Sequence, residues 1–434
     1  MSLGRRNLRI TAESGKCAFP LARWISSAGA SAITPLFHIA LGMISSKWDK
    51  ECATNIRDQP FHAARNTKCK AYNRRTALTT LMPTQVFAGK FHSWTRTASF
   101  IGLYYDLHDI NPKCGGTVTD TAATASELWP DLPLDSWNET CATLHMWFQI
   151  VGKIRITQCR WVNHSWHVAL YVTARGLTTT PIPHGMRNFQ IDFDFIDHRL
   201  TVQASDGSSA GFTLEPLSVA DFYKRLMREM QKLNLGVSIS RKPNEVTDPI
   251  PFDQDEVHCA YDRDYANRFW RILVQADRVF KMFRARFIGK CSPVHFFWGS
   301  PDLAVTRFSG RSAPVHPGGI PNLPDWVTRE AYSHEVSSCG FWYGGGPIPY
   351  PAFYSYAYPE PAGFSHAPVS PHETFYSNDL HEFVLAYDIV RKSASPDDTL
   401  LDFLQTTYEA AADLANWNRK TLERDCEPGA HLAL

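Results

Sequence analysis

The chain has 434 residues, of which 44% are hydrophobic, so it can bury a sizeable core. Its net charge of +1 provides no general excess for binding nucleic acid or a membrane surface. The charge is unevenly divided: residues 1–126 carry 16 Lys and Arg against 7 Asp and Glu, whereas the remainder carries 28 against 36.

The basic first part predicts a poorly ordered N-terminal extension over residues 1–126. Residues 1–48 contain several Lys and Arg against the single acid Glu13. That composition is typical of an organellar, mitochondrial-like targeting segment, and an unstructured or misassigned leader is the alternative. The apolar stretch 28–44 is interrupted by Pro35 and His38 and is shorter than a bilayer span, so we expect no stable membrane insertion. Ten scattered cysteines without a CxxC pair favour free thiols in a soluble intracellular protein.

Residues 127–241 predict a first α+β half. Ser136 and Glu139 have the spacing of a capping box, which predicts that a helix begins there. Alternating strand patterns follow and include Asp206-Gly207, a hairpin pair. Ser218 then has the position of an N-cap for a second helix. The first helix has one apolar stripe, formed by Trp137, Cys141, Leu144, Phe148 and Val151.

Residues 242–423 predict a second half with the same order of elements. A Pro-rich connector, 242–252, precedes a long helix capped by Asp262. Extended segments follow near 295–298 and 304–308, and Ser395-Pro396 begins a last helix. Residues 424–434 form a tail.

The two halves suggest an internal duplication. Each reads helix, antiparallel strands, helix, and residues 161–176 loosely match 292–310. The fold class we predict is therefore α+β, with two similar helix/antiparallel-sheet/helix halves packed together and a cleft between them. Since this order of elements is common, similarity by coincidence is the alternative.

Several long strings resemble the bacterial family known as domain of unknown function 5996. They include WPDLPLDSW, VNHSWHVALYVTARGLTT and PVHFFWGSPDLAVTRFSGR, and the resemblance covers about residues 127–423. Typical members begin near the position of Trp129, which implies that residues 1–126 are an addition. The resemblance implies no activity and assigns no role to any residue.

A histidine and a carboxylate in the second half are candidates for catalysis. His334 is followed by Glu335, and His295 lies earlier in the same half. We predict His334 as an acid or base oriented by Glu335, with His295 as a second base or a ligand. Such a set can also hold zinc or iron, although HExxH is absent. The absence of GxGxxG after a strand, GxxxxGK[ST] and GxSxG disfavours dinucleotide enzymes, nucleotide hydrolases and α/β-hydrolases.

Other residues are candidates for contacts with a substrate. Arg307 and Arg175 lie at strand ends, where a guanidinium can bind an anionic group or pair at the surface. Ring contacts to a planar ligand are expected from three further side chains, His167, Trp298 and Trp342.

Two functions remain open at this stage. The first is a small-molecule enzyme with His/Glu acid–base or metal-assisted chemistry between the halves. The alternative is a non-catalytic ligand-binding or protein-interaction module that uses residues 340–364, which contain nine aromatic residues, five Gly and five Pro. Both imply a small molecule or protein partner rather than nucleic acid, and the sequence leaves the oligomeric state open.

Overall fold

The predicted α+β class is confirmed, because two antiparallel sheets are combined with long helices. This computed structural model describes residues 125–424. The predictions of a targeting segment, of a poorly ordered extension up to residue 124 and of a tail beyond residue 424 therefore lie outside the described residues.

The described helices vary from about one turn to about seven turns. They are α1 (Ala125–Leu128), α2 (Leu134–Gln158), α3 (Val219–Lys232), α4 (Arg263–Ala285), α5 (Asp325–Ala331), α6 (Tyr387–Lys392), α7 (Pro396–Leu414) and α8 (Arg419–Leu422). Short 3₁₀ turns lie at Asn163–Ser165 and Phe364–His366. No described helix is both long and apolar enough to cross a bilayer.

Helix starts follow the predictions in three cases and depart from them in one. Helix α7 begins at Pro396, directly after Ser395, as predicted. Ser218 Oγ accepts from the Asp221 amide at 3.1 Å, and Asp262 Oδ1 accepts from the Tyr265 amide at 3.0 Å. The capping box at Ser136 is wrong, because α2 already begins at Leu134 after Pro133. Pro133 fixes the extended backbone that enters the helix, so Ser136 is already inside the first turn.

The first sheet has the order β1-β2-β4-β5-β6, with β3 paired to β4. Its strands are β1 (Tyr171–Val172), β2 (Gly176–Thr178), β3 (Ile182–His184), β4 (Arg187–Asp194), β5 (Arg199–Ala204) and β6 (Ser209–Thr213). Gly207, in the predicted hairpin turn between β5 and β6, has a φ of 86°, which favours glycine.

The second sheet has the order β11-β12-β10-β9-β8-β7. Its strands are β7 (His295–Phe297), β8 (Asp302–Ser312), β9 (His334–Trp342), β10 (Ala352–Tyr358), β11 (Phe375–Ser377) and β12 (Glu382–Ala386). Because neighbouring strands are antiparallel and in register, alternate residues of β8, β9 and β10 share a face.

Helix α2 packs against both sheets. Trp147 stacks on Phe222 of α3 with ring centroids 4.6 Å apart. Phe148 contacts Phe193 of the first sheet at 5.1 Å and Phe296 of the second at 5.2 Å. The apolar stripe read from the sequence is buried along its whole length, which explains why α2 lies in the core.

Within residues 125–424, one pair of backbone partners joins the two sheets. Leu170 and Phe296 exchange two backbone hydrogen bonds of 2.8 Å across an antiparallel bridge. This pairing places Tyr171 beside His295, and their ring centroids are 5.4 Å apart. The edge strand of each sheet therefore lies against the edge strand of the other.

Candidate functional site

One face of the second sheet carries a buried set of polar side chains that we call the polar face: His295, Asp302, Tyr354, Tyr356 and Glu382. All five are at most 2% exposed. Register explains why they share a face. His295 pairs with Ala304, Ala304 with Gly340 and Gly340 with Tyr354, so these positions form one row across four strands.

Asp302 lies in the adjacent row, between two aromatic neighbours. It pairs with Phe297 on one side and Trp342 on the other. His295 is its diagonal neighbour, so their Cα atoms are about 7–8 Å apart. Ala304 pairs with His295 and is the next residue of β8 on the same face as Asp302. A small molecule touching Ala304 would therefore be within reach of an imidazole and a carboxyl group.

The Asp302 carboxyl group is held by a tyrosine. Tyr354 Oη donates to Asp302 Oδ2 at 2.6 Å. Burial raises the pKa of Asp302 well above its ordinary value, and the Tyr354 bond partly opposes that shift. Asp302 therefore retains its proton far more readily than an exposed aspartate.

Glu382 is the second buried carboxyl group of this face. Since Phe383 pairs with Ser355, Glu382 lies beside Tyr356 in the register. Burial raises the pKa of Glu382 well above its ordinary value, and the nearby Asp302 raises it further. In this dry environment a charge on Asp302 disfavours the ionisation of Glu382.

Hydroxyl groups continue the network beside the acids. Tyr356 Oη and Tyr332 Oη are 3.1 Å apart, and Thr306 Oγ1 and Ser338 Oγ are 2.8 Å apart. Burial raises the pKa of Tyr356 and of Tyr332, so both phenols remain protonated donors. The face thus offers neutral hydrogen-bonding groups.

His295 closes the row at the junction of the two sheets. Its Nε2 lies 3.3 Å from Tyr171 Oη, whereas its buried Nδ1 has no hydrogen-bond partner among residues 125–424. Burial lowers the pKa of His295 to about 3, and the positive charges of Arg155 and Arg284 add to this shift. The imidazole is therefore neutral at physiological pH.

Helix α5 and the loop before it cover the polar face. His316 stacks on Tyr332 with ring centroids 4.7 Å apart and accepts from the Gly318 amide at Nδ1. Its Nε2 is buried and has no partner within the described part of the chain. Because Nδ1 is an acceptor, Nε2 carries the proton, so an unpaired donor lies under this cover.

The predicted pair His334 and Glu335 is separated. Successive strand residues point to opposite faces, and Arg311 donates to Glu335 Oε2 from Nε at 2.9 Å and from Nη2 at 2.6 Å. His334 Nδ1 lies 3.0 Å from Ser333 Oγ, and its ring lies 6.0 Å from that of His164. Glu335 therefore holds an arginine, and it does not orient the imidazole of His334.

Arg307 occupies the face of β8 opposite to Asp302. Its guanidinium carbon lies 3.4 Å from the ring centroid of Phe283 and 4.2 Å from that of Tyr408. Nη2 donates to the carbonyl of Phe283, and the side chain is buried. This position does not present the guanidinium to a solute, so it does not suit the predicted binding of an anionic substrate.

The remaining predicted contacts are dispersed, and only Trp342 lies beside the polar face. Arg175 is exposed and pairs with Asp194 and Asp197 at 2.6 Å each. His167 and Trp298 both bind backbone groups of residues 162–168. His167 Nδ1 accepts from the Val162 amide at 3.3 Å, and Trp298 Nε1 donates to Val168 O at 2.8 Å.

The aromatic segment 340–364 contributes mainly to the core. Six of its nine rings are buried, two are partly buried, and Tyr350 is exposed. Rings in the core cannot bind a partner at the surface, so this segment offers no broad aromatic patch.

A second polar cluster, which the sequence reasoning missed, lies along α2. The Gln149 carboxamide donates to Asn244 O and accepts from Asn244 N, both at 2.8 Å. Lys153 donates to Asn244 Oδ1, and His145 Nε2 lies 2.7 Å from Gly299 O. Spacings of four within an apolar helix are the signal that could have identified this set. It fixes the connector and the β7–β8 turn to α2.

Four residues of the polar face were also missed, namely Asp302, Tyr354, Tyr356 and Glu382. A lone acid at the start of each apolar strand and the alternation Tyr-x-Tyr in β10 are the signals that were present. Among the residues the structure describes, no three His, Cys, Asp or Glu side chains are grouped as metal ligands, so zinc or iron has no donor set there.

Comparison with known proteins gives a family but no individual relative. No curated protein and no solved structure matches the chain. The model of a family described as a family of unknown function (DUF5996) matches residues 129–424. The match includes both sheets and the polar face, and the chain belongs to this family.

Proposed function

We propose that the chain is an enzyme that performs acid–base chemistry on a small carbonyl compound held against the polar face. The observation that carries this proposal is the presence of two buried carboxyl groups, Asp302 and Glu382, on one face of a sheet. Acids that retain protons near neutral pH are suited to proton transfer, since a catalytic pKa near the working pH is the most effective.

The surroundings of the two acids suggest different roles. Tyr354 donates to Asp302 and stabilises its charged form, so Asp302 is the one that ionises first. The resulting negative charge keeps the proton on Glu382. Asp302 is thus assigned as the base and Glu382 as the acid.

The reaction class that suits this pair is proton abstraction next to a carbonyl group. Asp302 takes a proton from the carbon, the C–H electron pair forms the new C=C bond of an enol, and Glu382 gives its proton to the carbonyl oxygen. Reversal restores the ketone, so atoms and charge balance. Neutral His295 supplies a hydrogen bond to the substrate through Nδ1, which has no partner within residues 125–424. Phe297 and Trp342 are the strand neighbours of Asp302 on either side.

The test measures hydrogen exchange of 2-pentanone and cyclohexanone in D₂O. Proton NMR follows the loss of the C–H signals next to the carbonyl group. We expect the purified full chain to accelerate exchange, and Asp302→Asn to reduce the rate by about 10²- to 10⁴-fold, the range for a general base. Tyr354→Phe is expected to reduce it less, because it leaves the carboxyl group in place.

Glu229→Gln is the matched control, because Glu229 is a partly buried acid that pairs with Lys232 on α3, away from the polar face. It should exchange like the wild type. Equal rates for wild type, Asp302→Asn and buffer would overturn the proposal. Circular dichroism of each variant shows whether a lost rate reflects unfolding.

We also infer that the two halves arose by duplication. In support, α2 and α4 each precede one antiparallel sheet, and α3 and α7 follow them. The antiparallel Leu170–Phe296 pair joins the first strands of both sheets, as a twofold axis would require. Superposition of residues 127–241 on 242–423 tests this inference: the best overlap should align α2 with α4, and alignment of α2 with α7 would contradict it.

A further inference from the structure

A pocket of about 200 Å³ lies where the two sheets separate. Past the Leu170–Phe296 pair, β1 and β7 diverge, and the gap between them is open. No backbone hydrogen bond joins Val172 and Val294, the positions where the next hydrogen-bonded pair would lie. Helix α4 forms the other side of the gap, so the pocket has a strand wall and a helix wall.

The two walls differ in chemistry. The strand wall is apolar and contains Val172, Pro293 and Val294. The helix wall is charged and contains Asp277, Lys281 and Arg284. A ligand that fits both walls needs a charged end and a short apolar part.

The helix wall has an excess of positive charge. Lys281 pairs with Asp277 at 2.5 Å, so these two charges compensate each other. Arg284 Nε donates to Ser292 O at 2.7 Å, which fixes the guanidinium. No carboxylate of residues 125–424 pairs with Arg284, whereas Arg278 on the same helix pairs with Asp397. A positioned guanidinium without an acid is suited to binding an anion.

We propose that this junction pocket binds a small monocarboxylate. The carboxylate lies on Arg284, and a chain of a few carbons covers Val172, Pro293 and Val294. The volume excludes larger ligands, because pockets for drug-sized molecules measure about 300–1,000 Å³. Inorganic phosphate would leave the apolar wall uncovered, which disfavours it.

The pocket is coupled to the polar face through one hydrogen bond. Tyr171 lines the pocket, and its Oη lies 3.3 Å from His295 Nε2. A ligand that displaces the Tyr171 ring changes the partner of His295. This site stands independently of the proposed proton transfer, since it uses other residues.

Propionate is the probe, titrated into the full chain and followed by proton NMR and calorimetry. We expect saturable binding by the wild type and a Kd at least about tenfold weaker in Arg284→Gln, because a charge-assisted hydrogen bond is lost. Val172→Phe should also abolish binding by filling the pocket. The matched control Arg278→Gln should bind like the wild type.

A second readout separates this pocket from a general surface effect. Propionate should shift the imidazole NMR signals of His295 in the wild type, whereas Tyr171→Phe should bind propionate without that shift. Absence of propionate binding, equal affinity in Arg284→Gln, or phosphate binding as tight as propionate would overturn the proposal. Asp302→Asn should lose ketone exchange but bind propionate like the wild type, so the two proposals fail separately.

Discussion

Tyr354 reaches Asp302 by crossing over Gly340. The Tyr354 hydroxyl group donates to Asp302 at 2.6 Å, although the two residues lie on strands that are separated by β9. A Cβ on Gly340 would lie 2.2 Å from Tyr354 Oη, so the bond depends on a residue without a side chain. Glycine here is required by close approach rather than by backbone conformation.

Gly340→Ala should therefore destabilise the protein. Its Cβ would also lie 2.4 Å from the carbonyl oxygen of Leu303, which is backbone and cannot rotate away. We expect a loss of about 1–3 kcal/mol, as for overpacking of a core, measured by urea unfolding. Gly236→Ala is the control, because its added Cβ meets open space. The free energy of unfolding of Gly236→Ala should equal that of the wild type or exceed it by up to about 1 kcal/mol.

Glu382→Gln should change the pH dependence of stability. An unfolded glutamate ionises near pH ~4.3, whereas burial raises the folded pKa of Glu382 well above that value. Protonated Glu382 makes its full contribution to the free energy of unfolding below pH ~4.3, and this contribution is lost as the pH rises toward the folded pKa. The free energy of unfolding of Glu382→Gln, measured with urea, should therefore increase relative to that of the wild type as the pH rises above about 4.

The control for that series is Glu256→Gln, an exposed carboxylate. Its difference from the wild type should be almost constant with pH. A constant difference for Glu382→Gln as well would contradict the raised pKa.

Arg307 should tolerate an apolar replacement of similar length. Nε and Nη1 of this buried guanidinium have no partner in the described part of the chain, and burial lowers its pKa. Phe283 O retains a second donor, the Arg286 amide at 3.3 Å. The free energy of unfolding of Arg307→Met should differ from that of the wild type by no more than about 1–2 kcal/mol, because the removed charge was costly to bury.

Arg307→Ala is the comparison, and it should lose about 2–5 kcal/mol through the cavity between Phe283 and Tyr408. Urea unfolding measures both variants. If the methionine variant loses as much as the alanine variant, the charge itself stabilises the fold.

Lys153→Met should identify a buried amine that titrates near neutrality. Burial lowers the pKa of Lys153 to about 7, while an unfolded lysine has a pKa of about 10.4. Between these values the unfolded state binds more protons, so wild-type stability rises with pH. The free energy of unfolding of the wild type should increase relative to that of Lys153→Met from pH 7 to about pH 10. Below pH 7 the difference between the two proteins should be constant. Lys232→Met, an exposed control, should show no such slope.

Local signals predicted much of the fold. Ser218 and Asp262 cap the helices that follow them, because a cap depends only on residues three positions apart. The apolar stripe of α2 is buried for a similar local reason. The start of α2 was wrong because Pro133 and the capping box compete within four residues, and both patterns favour a helix start.

The site was less predictable, because it depends on register between distant strands. His295 is the one predicted catalytic residue that lies on the polar face. Asp302 is a single acid in an apolar strand, and nothing nearby in sequence indicates that Tyr354 binds it. Arg307 resembles a surface arginine until the rings of α4 and α7 enclose it.

The single Leu170–Phe296 connection has a consequence for the order of folding. Within each sheet most strands pair with close sequence neighbours, so hairpins can form early. Leu170 and Phe296 are far apart along the chain, and closing that long loop is slow. The two sheets should therefore form before they join, which makes the junction the last part of the second sheet to become protected from hydrogen exchange.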